Sequence, residues 1–70
     1  SLVGGTCRVL TLTVDERFGQ AEVLSAGAAI NIRVSAPTPN SLVKGSTAHI
    51  IGYEPATQRY EIAPADPPGH

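Results

Sequence analysis

The sequence predicts a small all-β domain, a five-stranded antiparallel barrel, and three observations carry that reading. Short stretches rich in β-branched and aliphatic residues recur about every 8–12 residues, with turn residues between them. Gly19 to Val34 (GQAEVLSAGAAINIRV) alternates polar with apolar side chains on both sides of a glycine-bearing reversal. Apolar residues at helical spacing are absent throughout.

Thr6 to Val14 (TCRVLTLTV) has no Gly or Pro and is long for a strand, as expected of one that bends and serves both halves of a barrel. Asp15 to Phe18 (DERF) supplies a charged turn. Gln20 to Leu24 is the second strand, and Ser25, Ala26 and Gly27 reverse the chain where glycine makes positive φ cheap. Ala28 to Ser35 returns as the third strand through Ile30, Ile32 and Val34. Two prolines in Ala36 to Ser41 (APTPNS) cannot continue a ladder, and Leu42 to Gly45 reads as an apolar staple followed by a turn glycine. An irregular connection over Ala36 to Ser46 is therefore expected in place of a long helix. Thr47 to Tyr53 is the fourth strand, Glu54 to Gln58 a proline-containing turn, and Arg59 to Ala63 the fifth strand. The barrel domain is expected over residues 1–64, with a flexible proline-rich tail over 65–70.

Seventy residues make one domain at most, and a chain of this size buries only about 60% of the surface its unfolded form exposes. Cys7 is the only cysteine, so no internal disulfide or cysteine-rich zinc cluster staples the fold. Five basic residues against six acidic ones, a net charge of −1, give no strong field for phosphate backbones or acidic membranes. No apolar run approaches the roughly 20 residues needed to cross a bilayer, and no signal-peptide pattern opens the chain. The chain reads as a soluble piece of something larger.

The residues offer little for catalysis. Cys7 lies inside the first strand beside Arg8, with no histidine near it in sequence, and reads as a small core residue. His49 alternates with Ala48 and Ile50 on a strand and reads as a surface or hydrogen-bonded side chain, and His70 is terminal. Asp15 and Glu16 are adjacent, so their side chains diverge, whereas a catalytic pair must converge on one bond. Glu22, Glu54, Glu61 and Asp66 are scattered, and the glycines have neither dinucleotide-binding nor phosphate-loop spacing. No catalytic residue, cofactor or metal site is expected.

Five-stranded barrels of the OB type often bind single-stranded nucleic acid through strands two and three, stacking bases on aromatic rings. Here one hairpin face offers Gln20, Glu22, Leu24, Ala29, Asn31 and Arg33, and the other Ala21, Val23, Ile30, Ile32 and Val34. Each missing stacking platform forgoes about 1–3 kcal/mol per base. Protein contact is the reading that remains. Ile50 and Ile51 are consecutive on a strand and must point to opposite faces, as must Val9 and Leu10. Leu24 together with one of Ile50 or Ile51 is thus expected to form an apolar interaction patch. The competing explanation is a bulge in strand one that buries both sets.

The order of short motifs resembles a known family. Leu2-Val3-Gly4 leads into strand one, followed by Gly19-Gln20-Ala21-Glu22-Val23, the turn at Gly27, Ile32-Arg33-Val34, the proline-rich gap, Leu42, Lys44-Gly45 and Tyr60 through Pro64. This pattern is similar to the C-terminal soluble OB-fold domain of NfeD-like membrane proteins, in particular the YqiJ-like branch. The resemblance implies a bacterial integral membrane protein whose barrel is an interaction module without catalytic residues. It also implies partners among flotillin- or stomatin-like membrane proteins, regulation of membrane proteases, and possible self-association. Between the two sides of the membrane, the cytoplasmic one is favoured. The alternatives are an oligonucleotide-binding module and an accessory barrel tethered to an enzyme elsewhere in the full-length protein.

Overall fold

A computed structural model describes residues 2–65; Ser1 and residues 66–70, which hold nearly all of the expected tail, lie outside the described residues. Five strands, β1 (Thr6–Val9), β2 (Gln20–Ser25), β3 (Ala28–Ser35), β4 (Thr47–Glu54) and β5 (Arg59–Pro64), close into one barrel in the order β1-β2-β3-β5-β4. No described residue is helical, and Ala36–Ser46 is irregular, as its prolines require.

The expectation of a purely antiparallel barrel is corrected at one seam, where β3 and β5 run parallel through Val34↔Tyr60 and Ser35↔Glu61. The reason is topological. Antiparallel neighbours alternate in direction, and a closed ring with an odd number of strands cannot alternate all the way round. The four other pairs are antiparallel, so the mismatch falls between β3 and β5.

Strand one is also shorter than expected. Regular pairing ends at Val9, and although the Leu10 N–H still donates to the Gln20 carbonyl at 2.8 Å, the Gln20 N–H donates to the Thr11 hydroxyl instead of to backbone. A threonine side chain competing with the ladder in this way breaks it. The chain bends, and Thr13 then bridges Val43 in the connection before β4. The bulge lies in β4 rather than in strand one: Ile50 faces Ile62 and Gly52 faces Glu61, leaving Ile51 without an opposite residue.

β2 and β3 form a two-residue hairpin in which both central residues have positive φ, Ala26 at 51° and Gly27 at 81°, as a type I′ turn demands. Inward positions of the strands deliver Cys7, Val9, Ala21, Val23, Ile32, Val34, Ala48, Ile50 and Ile62 to the core, with Val14, Ala36 and Leu42 added from the connections. No polar or charged residue is buried among the described residues. Leu42 reaches the core because Asn40 fixes the loop around it. The Asn40 amide donates to the carbonyls of Val14 and Pro37, each at 2.9 Å, while its Oδ1 accepts from the Leu42 N–H at 2.9 Å.

Candidate interaction surface

The outward face of the hairpin is paired in register, Gln20 with Arg33, Glu22 with Asn31, and Leu24 with Ala29. It carries no aromatic ring. Arg8 and Glu22 form an ion pair across β1 and β2 at 2.6 Å, a solvent-exposed contact of the kind that contributes about 0–1 kcal/mol. Arg33 has no acidic partner among the described residues.

The residues expected to form one apolar patch occupy three different places. Leu24 is 78% exposed, in a groove of about 350 Å³ with Thr6, Arg8, Glu22 and Thr47. Ile50 is buried, because strand alternation turns it inward toward Ile62, and so cannot belong to a surface patch. Ile51, outward by strand alternation and 53% exposed, lines a groove of about 410 Å³ together with Pro37, Pro39, Ile62, Ala63 and Pro64. Leu24 and Ile51 share no groove.

Sequence reasoning missed a third apolar site. Leu10, Thr11, Leu12, Thr13, Phe18 and Lys44 surround a depression of about 460 Å³ at one end of the barrel. Leu12 is 75% exposed and Phe18 58% exposed. The break after Val9 places Leu12 in irregular chain instead of in a strand with an inward face. Phe18 is fixed by an Asx turn: Asp15 Oδ1 accepts from the N–H groups of Arg17 and Phe18 at 2.8 and 2.7 Å, and the Asp15 N–H donates to the Phe18 carbonyl. The signal in the sequence is a single large apolar side chain closing an otherwise charged turn, Asp15 to Phe18.

The titratable groups hold structure more than they gather for chemistry. Glu16 Oε2 accepts from both the N–H and the hydroxyl of Thr38, at 3.0 and 2.8 Å, and these bonds lower its pKa. Burial raises the pKa of the Cys7 thiol. His49 is exposed on β4. Glu16, Glu54 and Glu61 border one shallow depression with Tyr53 and Arg59, a predominantly acidic surface that would repel a phosphate backbone. Among the described residues, no three His, Cys, Asp or Glu side chains gather closely enough to hold a metal ion, and no helix is long and apolar enough to cross a membrane. No protein-family model, curated protein or solved structure matches the chain.

Proposed function

We propose that this domain is a non-enzymatic protein-interaction barrel, the soluble part of a membrane-anchored protein of the NfeD-like, YqiJ-like kind. Its partners in this reading are flotillin- or stomatin-like membrane proteins or a membrane protease. The observation that carries the interaction role is the end depression, where Leu12 and Phe18 stand in solvent above a barrel whose core is already filled. Side chains of this size released from the core of a small domain favour contact with another surface. The membrane part of the proposal rests on the short motifs from Leu2-Val3-Gly4 to Tyr60–Pro64.

The test is photocrosslinking in the full-length protein within its native membrane. A photoreactive residue replaces Leu12, Leu24 or Ile51 in turn, and the adducts are identified by mass spectrometry. Position 12 is expected to capture a membrane protein of the named classes, and Phe18→Asp should abolish that adduct while the domain stays folded. Adducts only to nucleic acid would replace this reading with the oligonucleotide-binding one. Adducts only to an enzymatic domain of the same chain would replace it with that of an accessory barrel.

A further inference from the structure

The barrel is closed by a seam that covers only the end of β3. β5 pairs with Val34 and Ser35, while β2 pairs with β3 from Ala28 to Arg33 on the other side. No strand among the described residues lies along the second edge of Ala28–Arg33.

The main-chain groups on that edge follow from the ladder. The Val34 N–H donates to the Gly19 carbonyl at 3.0 Å, which places Val34 in the phase whose N–H faces β2, while its carbonyl accepts from the Arg59 guanidinium at 3.3 Å. Antiparallel strands alternate hydrogen-bonded with non-hydrogen-bonded pairs, so Ile32, Ile30 and Ala28 also face β2. Ala29 and Asn31 therefore turn their N–H and C=O groups to the open edge, and Arg33 its N–H, while the Arg33 carbonyl belongs to the parallel seam, where the Val34↔Tyr60 bridge sets it against the Tyr60 N–H. A second observation marks the same place. Ile30 is on the inward phase of β3 with Ile32 and Val34, yet it is 41% exposed because the strand that would cover it is missing.

Natural sheets blunt open edges with lysine, proline, a bulge or an inward-pointing charge, and Ala28–Arg33 has none of these. Its single charged group is Arg33, outward on the edge and without an acidic partner among the described residues. We infer that the open edge of β3 is a docking site for an extended acidic peptide segment, added as a further strand along Ala29 and Asn31 and ending at the Arg33 N–H. An apolar residue of that segment covers Ile30, and a carboxylate meets Arg33. A second copy fits the site less well. An antiparallel β3 from another molecule would bring its own hairpin turn toward β5, where Tyr60 already pairs with Val34 and the Arg59 guanidinium donates to the Val34 carbonyl at 3.3 Å.

The edge is apart from the end depression, so the two proposals fail separately. The probe is a five-residue peptide alternating glutamate and valine, blocked at both ends, with a lysine-valine peptide of the same length as control. Amide hydrogen exchange is followed by NMR on the isotopically labelled domain. In the free domain the amides of Ala29, Asn31 and Arg33 should exchange fast while those of Ile30 and Ile32 are protected. At a peptide concentration nine times its Kd, only a tenth of the sites remain free, so the three edge amides should slow by about tenfold. Arg33→Glu should transfer the preference to the lysine peptide. Edge amides already protected in the dilute free domain would overturn the inference, as would protection that rises with domain concentration alone, which would make a second copy the occupant. Peptide-induced changes mapping to Ile51 or Phe18, or no change at all, would overturn it too.

Discussion

Replacing Gly19 by alanine should destabilise the domain by about 2–6 kcal/mol, since it adds core overpacking of about 1–3 kcal/mol to backbone strain of similar size. Gly19 is buried, with φ at +157°, immediately before the second strand. A Cβ there would lie 3.0 and 3.1 Å from the two γ-methyls of Val14 and 3.2 Å from a γ-methyl of Val34. Carbon atoms settle at about 3.5–4.0 Å, so the neighbours would have to retreat by several tenths of an ångström. Neither can do so easily, because both valines are buried and β-branched side chains are stiff at χ1. A domain of this length has a total stability of roughly 4–10 kcal/mol, so the single methyl removes a large share. Urea unfolding followed by far-ultraviolet circular dichroism should show a lower midpoint with an unchanged slope. Val14→Ala removes two of the three close contacts. In that background Gly19→Ala should cost about 1–2 kcal/mol less than in the native one. A Gly19→Ala variant within 0.5 kcal/mol of the native protein would refute the reasoning; a cost that Val14→Ala leaves unchanged would refute its steric half.

Two further outcomes follow from other positions. Ala26→Asn should stabilise the domain by about 0.5–1 kcal/mol in thermal unfolding, because Ala26 holds φ 51° in the hairpin turn and Asn-Gly is the pairing such turns favour. Cys7 should resist iodoacetamide in the folded domain and react promptly in denaturant, since burial keeps it as the thiol. Because its folded pKa is raised, its contribution to stability is fully present below the ordinary thiol range and is lost as pH climbs through the raised value. Cys7→Ala should therefore flatten that part of the stability profile.

Local pattern alone determined much of the hairpin. Alternation through Val23, Ile30, Ile32 and Val34, with Gly27 at the reversal, fixes two strands and their facing because side-chain direction in a strand has period two. The opposed facing of Ile50 and Ile51 was legible for the same reason, as was the irregular path of Ala36–Ser46, whose prolines remove ladder donors. The tertiary structure decided everything that depends on which segments become neighbours. Ring closure with five strands forces one parallel seam, and it falls between β3 and β5. Gln20 arriving beside Thr11 lets a side-chain hydroxyl end strand one early, and that break strands Leu12 and Phe18 in solvent. The wrapping of the barrel separates Leu24 from Ile51, two residues whose outward phase is identical in sequence. Periodicity reports the direction of a side chain relative to its own strand; what covers that side chain is set by contacts between residues distant along the chain.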